Sequence, residues 1–323
     1  MLRWMVLARR LDAECIALAN EGELITYPGF EGQEGAQVGA AFALGTDDIV
    51  FPTFRELAMA IVRGVDPVAY LRYHRGTWHG APYDPIVSGF APICVPTGTQ
   101  LPHAVGWALG AKLDGSDAVA IGCIGDGATS EGDFHEAANL AAVWDAPLVI
   151  LCQNNGWAIT TPLAEQLRGE IVRRADGYGF GGIRVDGNDV LAVHQVTRDA
   201  VRRARGGHGP TLIEAITYRI GPHSTNDDAS RYRDAREVEL ARELDPITRF
   251  RAFLLAERVA DEAFVLACER EAEALAMRVR EALVATPPPP VDDLFAFVYA
   301  EPPSSFEAQR REATRQAGEP PRA

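Results

Sequence analysis

The chain has 323 residues, 47% hydrophobic and 24% charged, a composition expected of an ordinary soluble protein large enough to bury a substantial core. Its net charge of −14 argues against nucleic acid or an anionic membrane surface as a partner, and no apolar run approaches the length of a membrane span. An anionic ligand would therefore have to be met by local cations and helix ends.

The opening Met1-Leu2-Arg3-Trp4-Met5-Val6 combines arginine with apolar residues, as a targeting peptide does. Asp12 and Glu14 then follow within a helical pattern that runs to Asn20 and stops at Gly22, so a folded first helix is expected. Residues 49–51 read as a short strand, and residues 102–113 as a helix. Ala118-Val119-Ala120-Ile121-Gly122-Cys123-Ile124 and Pro147-Leu148-Val149-Ile150-Leu151-Cys152 are continuous apolar runs, the pattern of strands buried on both faces of a parallel sheet. Between them, residues 134–144 carry Ala137, Ala138, Leu140, Ala141 and Val143 with few polar breaks, as a helix crossing back over that sheet would.

Arg184-Val185, a helix over residues 189–205 and a strand over residues 211–216 extend the alternation. A polar loop spans residues 221–233, and helical segments run from 246 to 286. Pro287-Pro288-Pro289-Pro290 is a stiff spacer. The apolar Leu294-Phe295-Ala296-Phe297-Val298-Tyr299 is expected to pack on a neighbouring subunit, and disorder is expected from Arg315 onward. No internal repeat is visible. The whole reads as an α/β protein with a mostly parallel central sheet, helices on both faces and a helical C-terminal extension. One large domain would occupy residues 1–286, with spacer and tail at 287–323. Cys15, Cys94, Cys123, Cys152 and Cys268 are scattered without a C-x-x-C pair, which fits a reducing cytoplasm.

The chemistry concentrates where the two apolar runs end. Gly125-Asp126-Gly127-Ala128-Thr129-Ser130-Glu131-Gly132 follows the first, and Asn154-Asn155 follows the second. Two glycines let backbone approach a phosphate closely, and Asp126 sets a carboxylate between them where anions bind. Only a cation reconciles those charges. A hard divalent ion such as Mg²⁺ would take oxygens from Asp126, from the Asn155 side chain and from a nearby carbonyl while sharing the oxygens of a diphosphate. Both residues would lie just past carboxyl strand ends, where open α/β sheets bind ligands.

A nicotinamide-binding loop fits less well. The glycines fall at 125, 127 and 132, two residues late for G-x-G-x-x-G, and Asp145 precedes the second strand instead of ending it. Asn154-Asn155-Gly156 alone also reads as a turn.

Residues 125–161 resemble the thiamine diphosphate motif of the 2-oxo acid dehydrogenases. Nearly the whole chain resembles the alpha subunit of their thiamine-dependent first component, in its branched-chain (2-oxoisovalerate) type. Further blocks carry the likeness in order: Leu7-Ala8-Arg9-Arg10-Leu11-Asp12, Gly32-Gln33-Glu34-Gly35, Phe54-Arg55-Glu56, Thr99-Gln100-Leu101-Pro102, Arg184-Val185-Asp186-Gly187-Asn188-Asp189 and Tyr218-Arg219-Ile220-Gly221-Pro222-His223-Ser224-Thr225. The resemblance implies the thiamine diphosphate-binding fold and a chain that begins later than is usual for such subunits.

The resemblance also implies cofactor contacts at Phe54, Arg55, Asp126, Gly127, Ala128, Asn155, Trp157, Ile159 and His223, with metal ligands at Asp126, Asn155 and Trp157. A planar guanidinium at Arg55 suits diphosphate better than a lysine point charge, although a surface salt bridge is its bland reading. Phe54 stands where tyrosine is common. Gln153 stands where branched-chain relatives carry a diphosphate-touching arginine, so lower cofactor affinity is expected. His135 and His194 read as helix-surface residues. His223, flanked by Arg219, Arg231 and Arg233, is expected to titrate near neutrality as proton donor or diphosphate ligand.

In the resemblance His223 is the active-site histidine of its loop, oriented by Arg219. Asp227 stabilises the loop, and Ser224 matches a position that kinases modify in some relatives. Thr99-Gln100 matches a potassium-binding turn, while a helix N-cap is the simpler reading and Val95 stands where serine is common. Residues 76–85 depart from the family pattern near the substrate channel.

The implied reaction is oxidative decarboxylation of a 2-oxo acid with acyl transfer to a lipoyl group of an acyltransferase component. The glutamate that must contact the aminopyrimidine belongs to a beta subunit in two-subunit relatives, so an α2β2 heterotetramer, inactive as the isolated alpha chain, is expected. Rival readings are a pyruvate or acetoin dehydrogenase alpha subunit and a non-catalytic paralogue that binds the cofactor. Acyl-chain preference, kinase control and the identity of the acyltransferase are not written in the sequence.

Overall fold

A computed structural model describes residues 1–76, 82–296 and 298–318. Five strands form one parallel sheet in the order β1-β2-β3-β7-β6, with β1 Ile49–Phe51, β2 Ala120–Gly125, β3 Leu148–Asn154, β6 Gly181–Asp186 and β7 Thr211–Ile216. A two-residue ladder, β4 Trp157–Ala158 with β5 Thr161–Pro162, hangs beyond the end of β3.

Period-two alternation sends neighbouring side chains of each strand into two separate cores. Ile121 and Cys123 of β2, Val149 and Leu151 of β3, and Ile213 and Ala215 of β7 pack on one face with the helices Leu2–Asn20, Glu34–Ala41 and Val190–Arg205. Ala120, Ile124, Leu148, Ile150, Cys152 and Leu212 pack on the other with Gln100–Leu113 and Gly132–Val143. With both faces covered, the strands are apolar throughout, and burying each Leu, Ile or Val contributes about 1.5–3 kcal/mol.

The register aligns the strand ends. Gly125 pairs with Gln153, and Asn154 with Ile216, so the residues after β2, β3 and β7 leave the sheet along one edge. Asp189 caps the helix Val190–Arg205, its carboxylate accepting from the Leu191 and Ala192 backbone N–H groups at 3.0 Å.

Some boundaries differ from expectation. The helix after Thr99 begins at Gln100, two residues early, and Thr99 donates its hydroxyl to Asp133 (3.0 Å) instead of capping. A helix at Ala235–Glu243 fills residues left unassigned between the polar loop and the C-terminal helices, and the C-terminal helical region is two helices, Pro246–Ala256 and Glu262–Ala285. Helix Ser304–Ala317 continues past Arg315, where disorder was expected, because nothing in Ser304–Ala317 breaks a helix. Phe295 and Tyr299 fold onto Phe306 of that helix, with ring centroids 5.1 and 5.2 Å away. Phe297 and residues 77–81 of the segment that departs from the family pattern lie outside the described residues. Among the described residues no helix is long and apolar enough to cross a membrane.

Candidate active site

A cleft of about 220 Å³ opens where β1, β2, β3 and β7 end. It is lined by Phe54 and Arg55 after β1, Asp126, Gly127 and Ala128 after β2, Asn155, Trp157 and Ile159 after β3, and Arg219 and His223 after β7. Every cofactor and catalytic residue expected from the sequence thus lies around one space. A larger hollow of about 610 Å³ sits elsewhere, among Met1, Phe250, Phe264 and their neighbours, far from this convergence of strand ends.

Asp126 is 1% exposed. Burial pushes its carboxyl above the usual carboxylate range, against the pull of a 2.9 Å hydrogen bond from Gln166 Nε2 and the charge of Arg219. Its backbone carbonyl accepts from the Thr129 N–H (3.1 Å) and hydroxyl (2.7 Å), which curls Gly127–Ser130 into a 3₁₀ turn. A Cβ at Gly127 would stand 2.8 Å from the Cβ of Ala158, so the loop tolerates only glycine there and keeps bare backbone beside the cleft. Asn155 donates to Gln33 Oε1 (3.2 Å) and accepts from the Trp157 N–H (3.2 Å).

Arg55 is 6% exposed, and its guanidinium meets no carboxylate within 4 Å among the described residues. It donates to the carbonyls of Gly29 and His223 (2.9 Å) and to His223 Nδ1 at 3.3 Å. Burial, with repulsion from Arg219, lowers its pKa to about 10. Arg219, 1% exposed, donates to the carbonyls of Trp157 (2.9 Å) and Ile159 (2.8 Å), while its Nε has no partner. One lone pair of the Trp157 carbonyl is therefore already engaged. Ile159 holds φ at +56°, a conformation disfavoured for a β-branched residue, and the Arg219 bond braces it there.

His223 departs from expectation. Its pKa is lowered to about 3, by burial first and then by Arg55 and Arg219. The flanking cations are these two; Arg233 instead turns to the carbonyls of Arg219, Ile220 (2.7 Å) and Gly221 (3.1 Å), and Arg231 is exposed. Since Nδ1 accepts from Arg55, the neutral ring carries its proton on Nε2. Asp227 accepts from the His223 backbone N–H (2.8 Å) and from Tyr232 Oη, holding the loop as the resemblance implied. The loop is also laced to Tyr27, whose N–H donates to Thr225 Oγ1 and whose carbonyl accepts from the Thr225 N–H, both at 3.0 Å.

Phe54 packs edge-on against His223 with ring centroids 5.9 Å apart. His135 is exposed, as expected, whereas His194 is half-buried with Nδ1 unpartnered. Several lining residues escaped sequence reasoning. Gln33 lay inside a quoted block but carried no role; Gln166, which bonds Asp126 without lining the cleft, gave no signal at all. Glu56 accepts from Thr53 N–H (2.6 Å), Thr53 Oγ1 (2.7 Å) and Gln153 Nε2 (2.7 Å), so Gln153 is bound to a buried carboxylate that burial pushes toward its neutral form.

The donor set suits a cation that arrives with its own anion. Among the described residues no three His, Cys, Asp or Glu side chains cluster into a metal site, so Asp126, Asn155 and a carbonyl leave coordination positions for ligand oxygens. Mg²⁺ would relieve the buried carboxylate, and a diphosphate the two buried guanidiniums. The residues fit a metal diphosphate.

The profile described as "Dehydrogenase E1 component" matches residues 2–290. The chain is 46% identical over 316 residues to the 3-methyl-2-oxobutanoate dehydrogenase subunit alpha of Mycobacterium tuberculosis (strain ATCC 25618 / H37Rv), covering 96% of this chain and 86% of that one. It is 41% identical over 270 residues to the 2-oxoisovalerate dehydrogenase subunit alpha of Bacillus subtilis (strain 168), covering 79% and 80%. To the mitochondrial 2-oxoisovalerate dehydrogenase subunit alpha of Homo sapiens it is 38% identical over 321 residues, covering 96% and 72%.

Proposed function

Because the chain belongs to the dehydrogenase E1 component family, we propose that it is the alpha subunit of a thiamine diphosphate-dependent dehydrogenase acting on branched-chain 2-oxo acids. The observation that carries this reading is the pair of buried arginines, Arg55 and Arg219, which face a buried Asp126 without a carboxylate of their own.

Thiamine diphosphate, when bound, supplies the nucleophilic carbon and the electron sink that decarboxylation requires. The chain's residues bind and orient it. Asp126, Asn155 and the Trp157 carbonyl would hold Mg²⁺, and Arg55 would bind the diphosphate through a fork already oriented by the Gly29 and His223 carbonyls. Gly127 and Ala128 keep bare backbone at the phosphates. Phe54, Ile124, Ala158 and Ile159 wall the cleft with apolar surface, which excludes water and strengthens the electrostatic contacts inside it. His223 offers the Nε2 proton to a substrate oxygen or to the diphosphate. Burial depresses its pKa first; an anion between Arg55 and Arg219 relieves the repulsion that adds to that depression, so binding makes this histidine a better proton carrier.

Two glutamates line the cleft. Glu56 is committed to Thr53 and Gln153, and Glu131 is solvent-exposed, so among the described residues no buried, uncommitted glutamate lines the cleft to serve an aminopyrimidine ring. This supports a beta subunit completing the site in an α2β2 assembly, with a lipoyl acyltransferase as acyl acceptor. All five cysteines are free, as a reducing cytoplasm would leave them.

Calorimetry of the chain with thiamine diphosphate plus Mg²⁺ and, separately, with NAD tests the cofactor assignment. Metal-dependent binding of the thiamine compound alone is expected, and NAD binding would overturn the reading. Assembled with its beta subunit, the protein should turn over branched-chain 2-oxo acids faster than pyruvate or acetoin. The isolated chain should turn over none.

A further inference from the structure

The Asp126 carboxylate receives one side-chain hydrogen bond among the described residues, from Gln166 Nε2 to Oδ2 at 2.9 Å. The second proton of the same amide goes to the Thr161 carbonyl at 3.0 Å. Two acceptors on the NH₂ end settle which way the amide points, since a flipped side chain would oppose its carbonyl to a carboxylate and a carbonyl. The Gln166 oxygen is consequently left buried and unpartnered, 3.8 Å from where a Cβ on Gly127 would stand. A short helix, Leu163–Gln166, and the β4–β5 ladder carry the residue over the β2 loop from the chain that follows Asn155.

Backbone N–H groups of Asp126 and Asn155 also favour this carboxylate, but Gln166 is its one side-chain donor among the described residues, and a neutral amide helps fix the carboxylate plane without competing for a cation as an arginine or lysine would. The free amide oxygen adds an acceptor beside the loop, available to the water of a hydrated ion. We propose that Gln166 is a positioning residue for the divalent cation. It orients Asp126 for metal binding and couples the β4–β5 ladder to occupancy of the metal site. This rests on the reading that Asp126 holds the cation.

The test is a calorimetric titration of Mg²⁺, repeated with Mn²⁺, into the full chain assembled with its beta subunit at saturating thiamine diphosphate. It compares wild type, Gln166→Met, Gln166→Ala and Asp126→Asn, with thermal melting of each metal-free protein alongside. The expected result is a metal affinity about tenfold weaker in both Gln166 variants, the usual scale for losing an outer-sphere partner of a metal ligand, with melting unchanged. Limited proteolysis of the β4–β5 ladder should then also lose its protection by metal. If Asp126→Asn abolishes metal binding while both Gln166 variants stay within twofold of wild type, the proposal for Gln166 is overturned and the site assignment survives. If Asp126→Asn binds metal like wild type, the assignment of the cation to this loop fails, and the proposal with it.

Discussion

Two regions of this molecule use arginine in opposite ways. Along the seam between the helices Leu2–Asn20 and Glu262–Ala285, guanidiniums meet carboxylates: Arg3 binds Glu271 (2.6 Å), Arg10 binds Glu14 (2.7 Å) and Glu273 (2.5 Å), and Arg280 binds Glu21 (2.6 Å) and Glu14. Arg9 extends the pattern inward to Glu34 and Asp245 (2.7 Å). In the cleft, Arg55 and Arg219 are deeper and, among the described residues, bond only carbonyls, a phenol and a neutral imidazole. A paired arginine ties elements of the fold together; a buried arginine without a carboxylate among the described residues is what the proposed diphosphate reading calls for.

The sharpest way to break that contrast is Asp126→Ala. It should reduce Mg²⁺-dependent thiamine diphosphate affinity at least a hundredfold by calorimetry, because a site with one carboxylate has no substitute for it. Next come two matched arginine deletions. Arg9→Ala leaves Glu34 buried without its cation and should cost about 3 kcal/mol in a denaturant titration. Arg55→Ala should cost about 2 kcal/mol in diphosphate binding, on the scale of a charge-assisted hydrogen bond, with little loss of ligand-free stability. Equal destabilisation by both would erase the distinction.

A pH series sharpens the contrast further. Asp12, 1% exposed, has its carboxyl raised to about 7 by burial and by Glu34, although Tyr27 Oη (2.9 Å) and the Phe30 N–H (3.1 Å) donate to it. Between about pH 4, where the unfolded carboxyl ionises, and pH 7, the folded protein keeps a proton that the unfolded chain has lost. This group's contribution to stability therefore falls as pH rises through that window and levels off above it. Asp12→Asn removes the slope, so the variant should gain on wild type in melting temperature from pH 5 to pH 8. His223 works in the opposite sense. Its folded pKa near 3 lies below the unfolded value of about 6.5, so its contribution is lost as pH falls below about 6.5. The smallest expected effect is at the surface pair Arg310–Asp292, where Arg310→Ala should leave the melting temperature unchanged.

The layers of the fold were legible because continuous apolar runs have few ways to be buried, and the Gly-Asp-Gly loop and asparagine pair were legible because they sit where such runs end. The protonation of His223 was not. Its sequence neighbours Arg219, Arg231 and Arg233 suggested a histidine that titrates near neutrality, whereas burial, and then Arg55, 168 residues away in the chain and against its ring, and Arg219 keep it neutral. Gln166 was invisible for a similar reason. A glutamine in a polar loop carries no pattern, and only the return of the β4–β5 ladder over the β2 turn gives it Asp126 to hold.

The sequence by itself determined the kind of chemistry. One acidic oxygen donor between glycines, an amide after the next strand, and arginine and histidine in their loops are residue types that together point to the proposed metal-bound diphosphate. The tertiary structure decided the charge states and the orientations. Those depend on distance and on how much water is excluded, and both are set only when strands remote in sequence end side by side.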